Sequence, residues 1–320
     1  MPDPYRPVSG MDLARFAGIP TFMRLPHVAP DDPRRAEVEI GLLGMPWDGG
    51  TSNRPGARHG PRALRDASTM VREMNRATGQ VPYDHATVAD LGDAPMSPVD
   101  QAEALEALAA TVATAVGQGI RPLSVGGDHL CTLAVLRGLA RAGAPTPGLV
   151  LLDSHTDLYP PYFGGRTLTH GNPFRQAAEE GLIDPARSTM IGMRGTAYDT
   201  EDFDHAAELG IEIVTTDQML DRGLAAVAEH AQDRANGPAY LSFDIDFVDP
   251  AFAPGTGTPE VGGPTSNEAL RITRALHGLD LIGADLVEVS PPFDTGGITA
   301  WLGASVLFEL LCLMVPRPER

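Results

Sequence analysis

Short apolar runs alternate with longer amphipathic stretches along almost the whole chain. Eight runs, rich in Val, Ile and Leu and nearly free of charge, predict strands over residues 38–44, 87–90, 122–125, 149–153, 189–193, 211–214, 239–244 and 281–288. Between them apolar residues recur at helical spacing, which predicts helices over 61–74, 98–116, 130–142, 173–180, 217–231, 266–277 and 300–314. In the second of these, Ala102, Leu105, Leu108, Val112 and Val116 share one face. Continuous apolar strands separated by helices imply an α/β fold, with a parallel sheet covered on both faces. No linker-like composition, internal repeat or low-complexity tract breaks the series. Residues 36–320 are therefore expected to form a single domain. Residues 1–35, rich in Pro, Asp and Arg, are expected to be an irregular arm lying over it, of the kind that packs at subunit contacts.

Four of the predicted strands run into polar clusters. Residues 122–125 lead into Gly126-Gly127-Asp128-His129, and 149–152 into Asp153-Ser154-His155-Thr156-Asp157. Residues 239–243 lead into Asp244-Ile245-Asp246, and 281–287 into Glu288-Val289-Ser290-Pro291. In open parallel sheets ligands bind beyond the carboxyl ends of the strands, so all four clusters fall on the functional rim.

Asp153, His155 and Asp157 crowd two carboxylates and an imidazole into five residues, an arrangement that is poorly solvated unless a cation sits among them. They converge if the chain loosens just after the strand. Asp244 and Asp246 share a face if the strand continues through them, with Ile245 pointing away. Together with His129 this makes six ligands, more than one transition ion needs. The set fits two ions sharing carboxylates, which would acidify a water near neutral pH and clamp a developing oxyanion. Oxygen donors with one nitrogen suit Mn²⁺, with Ni²⁺, Fe²⁺, Co²⁺ or Zn²⁺ as alternatives.

Composition narrows the function classes. The 24 basic residues against 42 acidic ones leave a net charge of −18, which argues against nucleic acid as a partner. All the basic residues are Arg, so Schiff-base, P-loop and kinase lysines are excluded. Cys131 and Cys312 lie far apart among apolar residues and read as buried thiols of a reducing, cytoplasmic compartment. Residues 1–10 lack the apolar core of a signal peptide. The apolar segment 299–315 carries Glu309, Gly303 and Ser305, and is expected to be a buried helix rather than a membrane span.

The motifs resemble those of the ureohydrolases: arginase, agmatinase, guanidinobutyrase and their relatives. The matching pieces are GGDH at 126–129, DSHTD at 153–157 and the highly specific SFDIDFVDPAFAPGTGTPE from Ser242, within a resemblance running from about Ile40 to Met314. TFMRLPH at 21–27 and GGTSNRPGARHG at 49–60 are more similar to the agmatinase, guanidinobutyrase and proclavaminate amidinohydrolase branch than to arginase itself. The resemblance implies a three-layer αβα sandwich on an eight-stranded parallel sheet. It places His129, Asp153, Asp157 and Asp244 around a first ion and Asp153, His155, Asp244 and Asp246 around a second, with manganese the expected metal and nickel the alternative. It also implies a homo-oligomer, a trimer or hexamer. His170 matches the family's proton-shuttling histidine, and Glu288 the carboxylate that holds the substrate guanidinium, a pairing suited to the planar N–H fork. Asn172 stands where the family more often has Thr or Ser, a change expected to affect how the His170 loop folds.

The implied reaction releases urea from a small linear guanidino compound. A hydroxide held between the ions attacks the guanidinium carbon, and Asp157 passes its proton to the departing amine. Tyr159, Tyr162 and Phe163 are expected to line the path of the substrate tail, with Arg166 or Arg54 meeting a carboxylate of 4-guanidinobutyrate or 3-guanidinopropionate; agmatine is the alternative. Trp47, Asp48 and residues 54–58 lie on the same rim, either shaping the pocket or forming a solvated loop. Guanidine or biguanide hydrolysis is a rival within the family. Other rivals are a single-zinc deacetylase-like amidohydrolase, a non-catalytic subunit and a dinuclear phosphoesterase, the last disfavoured by the absence of Lys and of a phosphate loop.

Overall fold

Eight strands form one sheet: β1 (Ile40–Met45), β2 (Val88–Asp93), β3 (Arg121–Gly126), β4 (Gly148–Leu152), β5 (Thr189–Met193), β6 (Glu212–Thr215), β7 (Pro238–Asp244) and β8 (Asp280–Val287). Every pairing is parallel, and the order is β2-β1-β3-β8-β7-β4-β5-β6. The computed structural model describes residues 4–317; residues 1–3 of the predicted arm, and 318–320, lie outside the described residues.

Helices cover both faces, as the uniformly apolar strands require. Alternate residues of a strand feed opposite cores. Ile40 and Leu42 of β1 and Val150 and Leu152 of β4 pack with α1 (Gly60–Ser68), α7 (Leu224–Ala235), α8 (Ser266–Ala275) and α9 (Ile298–Leu313). Leu43, Met45, Leu149 and Leu151 pack on the other side with α2 (Gln101–Gly117), α3 (Leu130–Arg141), α4 (Pro173–Glu179) and α5 (Glu201–Leu209). Before β1, Phe22, Met23 and Leu25 are buried in the first of these cores.

Three helices depart from the sequence pattern. α1 stops at Ser68, because the guanidinium of Arg15 takes the carbonyls of Thr69 (2.7 Å) and Val71 (3.1 Å) that a continuing helix would use. The predicted helix at 217–231 is two, α6 (Thr216–Arg222) and α7, broken at Gly223 with φ 85° and ψ 140°. α5 was not predicted; its apolar face is thin, with only Asp202 and Ala206 buried. The apolar C-terminal segment is the buried α9, whose Glu309 is neutralised by Arg274 (2.7 Å) and held by Asn75 (2.8 Å). Among the described residues no helix is long and apolar enough to cross a membrane.

The sheet order has one consequence for the site. β3, β8, β7 and β4 are consecutive neighbours in its middle, and these are the four strands that end in polar clusters. Parallel pairing puts those ends on one rim, so residues 129, 153, 244 and 288 meet although they are spread over half the chain.

Candidate active site

Each cluster is shaped by a local break from regular structure. Asp153 directly follows β4, and its Oδ1 accepts the backbone N–H of His155 (2.7 Å). Asp157 lies in the left-handed region at φ 49°, which turns its carboxylate back toward Asp153. Thr156 points away, its hydroxyl donating to the buried Asp202 (2.8 Å). Asp244 and Asp246 do not share the face of a continuing strand. β7 ends at Asp244, a single 3₁₀ turn follows (Ile245–Phe247), and the N–H of Asp246 donates to Asp244 Oδ1 (2.8 Å). The turn, not the pleat, brings the two acids together. At 126–129, a Cβ on Gly127 would strike the carbonyl oxygens of Met45 and Trp47, so only glycine lets the chain approach β1 and present His129.

His129 Nδ1 lies 2.9 Å from Asp157 and 3.2 Å from both Asp153 and Asp244. His155 Nδ1 lies 3.1 Å from Asp246 and 3.6 Å from Asp153. Two groups result, His129/Asp153/Asp157 and Asp153/His155/Asp246, each with its donor atoms within 4.8 Å of one another. Asp153 belongs to both, and Asp244 borders the first.

The electrostatics of this cluster are unfavourable without a cation. Burial, then Asp246 and Asp157, push the Asp153 carboxyl up to about 6. Burial, Asp246 and Asp153 push Asp244 well above the usual carboxylate range. Burial would raise Asp246 too, but His155 and the Ser154 hydroxyl hold it below that range. Burial favours a neutral His129, yet Asp153, Asp157 and Asp244 drive it far upward, so the ring itself would supply the missing positive charge. His129 Nδ1 and Asp153 Oδ2 are buried and neither makes a hydrogen bond, although oxygens surround that nitrogen at hydrogen-bonding distance. Adjacent ligands of an ion with bonds of about 2.1 Å stand about 3 Å apart. The donor set and its spacing therefore fit divalent cations.

Glu288 follows β8 at φ 62°, a strained conformation for a residue with a side chain. Its Oε1 accepts the backbone N–H of His129 (2.9 Å) and faces His170 Nδ1 (2.9 Å). His170 is buried rather than a surface histidine, and its Nε2 meets the backbone N–H (3.0 Å) and hydroxyl (2.7 Å) of Ser52. A backbone N–H only donates, so in the neutral ring Nε2 accepts and Nδ1 carries the proton toward Glu288. Burial alone would lower the pKa of His170, but Glu288 outweighs it and raises the ring to about 9. Asn172 ties this loop, its Oδ1 accepting the N–H (2.9 Å) and hydroxyl (3.0 Å) of Thr169.

A cavity of about 540 Å³ opens above the cluster, with His155, Asp157, Asp244, Asp246, His170 and Glu288 in its floor. Tyr159, Tyr162 and Phe163 form part of its wall, together with Ser52, Asn53, Thr258 and residues 196–198. Among the described residues no arginine lines it. Arg166 is exposed on the loop beyond Phe163 and does not reach the wall. Arg54 is committed elsewhere: its guanidinium donates to the carbonyls of Thr256 (2.7 Å) and Gly257 (3.1 Å) and lies over the Phe293 ring. Asp48 is buried and organises the rim loop, accepting the N–H groups of Gly56 (2.7 Å) and Arg58 (3.2 Å) and pairing with the Arg58 guanidinium. Ser52 and residues 196–198 escaped sequence reasoning because they carry no metal-ligand chemistry; the only signal was the position of Ser52 within the 49–60 motif.

Comparison with known proteins agrees with this geometry. The arginase family model matches residues 38–313. Guanidinopropionase of Pseudomonas aeruginosa is 50% identical over 98% of both chains, and guanidinobutyrase of the same organism is 43% identical over 97% of both. The solved structure of proclavaminate amidinohydrolase from Streptomyces clavuligerus superposes with a TM-score of 0.86 at 40% identity, covering 94% of this chain and 98% of that one. A parallel eight-stranded sheet, candidate acidic and imidazole ligands on its central rim and this breadth of similarity lead to one conclusion: the chain belongs to the arginase family and is a ureohydrolase.

Proposed function

We propose that this protein hydrolyses a short guanidino acid, of the 3-guanidinopropionate or 4-guanidinobutyrate kind, to urea and the corresponding amino acid. The observation that carries this reading is one cavity lined by Glu288 together with Asp157, His155 and Asp246, members of two candidate ligand groups that share Asp153. The pair of groups supports two cations rather than the single zinc of a deacetylase-like site. His129, Asp153, Asp157 and Asp244 would hold one, and Asp153, His155, Asp244 and Asp246 the other, manganese or nickel. When bound, such a pair acidifies water and neutralises negative charge as it develops on the substrate.

The chain's own groups do the rest. Glu288 takes two N–H groups of the guanidinium and turns the central carbon toward the acidic floor. Water adds to that carbon, the C–N bond to the tail nitrogen breaks, and one urea and one protonated amine leave. Asp157 receives a proton from the attacking water and delivers it to the departing nitrogen. His170, held between Glu288 and Ser52, restores protons from solvent. With no arginine in the wall, the tail carboxylate is met by neutral donors, the hydroxyls of Tyr159 and Tyr162 and the amide of Asn53. The choice of acid over amine rests on the relatives named guanidinopropionase and guanidinobutyrase.

A urea-release screen tests the reading. The chain is loaded separately with Mn²⁺ and Ni²⁺ and offered 3-guanidinopropionate, 4-guanidinobutyrate, agmatine, arginine and guanidine. The guanidino acids are expected to turn over fastest. Preference for agmatine would overturn the substrate assignment, and absence of urea from every compound would overturn the reaction.

A further inference from the structure

Behind the metal-ligand cluster lies a carboxylate that the proposed reaction does not use. Asp285, on β8 three residues before Glu288, is fully buried, and no Arg or His among the described residues pairs with it. It accepts three hydroxyl hydrogen bonds: from Thr132 on α3 (2.7 Å), from Tyr240 on β7 (2.7 Å) and from Ser242 on β7 (2.6 Å). The donors thus come from the helix that begins just after His129 and the strand that ends in Asp244, and Asp285 itself lies on the strand that leads to Glu288.

The Ser242 hydroxyl also lies 2.9 Å from His129 Nε2. A hydroxyl has one proton and two lone pairs, whereas an ionised carboxylate only accepts. Ser242 therefore gives its proton to Asp285, and its contact with His129 must be an N–H donated by Nε2. In the neutral ring that a cation requires, this leaves Nδ1 without a proton, and Nδ1 is the buried, unbonded nitrogen facing Asp153, Asp157 and Asp244.

We propose that Asp285, acting through Ser242, is a positioning residue that fixes the His129 tautomer and aims its Nδ1 lone pair at the first cation. The inference rests on the metal reading given above. The direction of the relay is its content, since reversing the hydrogen bond at Asp285 would move the His129 proton onto Nδ1 and block the ligand. The Tyr240 and Thr132 hydroxyls bond Asp285 and not the His129 ring, which Thr132 meets only through its backbone N–H on the His129 carbonyl (3.1 Å), so they brace the carboxylate without joining the relay.

The test is equilibrium dialysis of the full chain against buffered free Mn²⁺, with ions counted per chain. Ser242→Ala removes the relay. Asp285→Asn keeps the shape but offers an N–H where Ser242 needs an acceptor. Tyr240→Phe and Thr132→Val are the controls. Supporting a histidine ligand in this way is worth about 10- to 100-fold in metal affinity. Ser242→Ala and Asp285→Asn are expected to lose about that much at one of the two sites, with kcat recovering as free Mn²⁺ is raised. Tyr240→Phe and Thr132→Val are expected to melt earlier and bind as the unaltered chain does. Unchanged affinity in both relay variants would overturn the relay. So would an equal loss in the two controls, which would make Asp285 a brace only. Failure of the unaltered chain to bind two ions would overturn the metal reading, and the relay with it.

Discussion

His170 and Glu288 share a single hydrogen bond: the ring Nδ1 lies 2.9 Å from Glu288 Oε1, the same oxygen that takes the backbone N–H of His129. One carboxylate thus braces the histidine proposed to move protons and the turn that presents a candidate metal ligand. Its other oxygen lies beside Gly257, 3.8 Å from where a Cβ on that residue would stand.

Replacing Glu288 with Gln keeps the size and one acceptor but removes the charge that a guanidinium needs. A hydrogen bond to a charged group is worth about 1.5–3 kcal/mol, so kcat/KM should fall by about 10- to 100-fold. Urea-release kinetics read this directly, and a variant with undiminished kcat/KM would remove Glu288 from substrate binding.

Metal removal and return should show in stability. A cation present at about 100 times its dissociation constant stabilises the folded chain by about 2.7 kcal/mol. Addition of Mn²⁺ to chelator-treated protein is therefore expected to raise the melting temperature. Asp153→Ala should abolish the rise and the activity together, because Asp153 belongs to both ligand groups. A full Mn²⁺-dependent shift in that variant would contradict the shared-ligand geometry.

The His170 pair predicts a pH dependence with a definite sign. Glu288 raises the ring from an ordinary value of about 6.5 to about 9, against the opposing effect of burial. A raised histidine pKa contributes stability that is complete below about pH 6.5 and lost as pH climbs through about 9. In chelator-treated protein the melting advantage over His170→Asn should be largest near about pH 6 and shrink toward about pH 10. An advantage that stays constant across that window would refute the pairing.

Arg166 provides a negative test. Its exposure outside the cavity wall predicts that Arg166→Ala changes KM for 3-guanidinopropionate by less than about twofold, as surface positions without specific partners usually do. A tenfold or larger rise, well over about 1 kcal/mol, would bring the loop back into contact with the substrate.

Much of the fold was legible because parallel strands buried on both faces leave long apolar runs. Residues 189–193 were bounded as observed, and other strand ends lay within a few residues. Losses occurred where tertiary contacts overrode local pattern: Arg15 ending α1, Gly223 dividing α6 from α7, and the sparsely buried α5. At the site, Asp153, His155 and Asp157 stand out in the sequence as candidate ligands by their charge and closeness, and the structure brings them into two groups. Asp244 and Asp246 were paired correctly, but by a 3₁₀ turn and not by the pleat.

The sequence alone determined which residues have the chemistry of a metal site, since charge crowding and ligand type are properties of neighbours along the chain. It also determined the sheet, because the periodicity of burial is written residue by residue. Only the tertiary structure decided that β3, β8, β7 and β4 stand side by side, that Arg54 is spent on the carbonyls of residues 256 and 257, and that Ser52 and Asp285 reach the two site histidines, His170 directly and His129 through Ser242. Those facts depend on strand order and loop return. Side-chain contacts across a hundred or more residues are set by packing of the whole chain, and no local pattern encodes them.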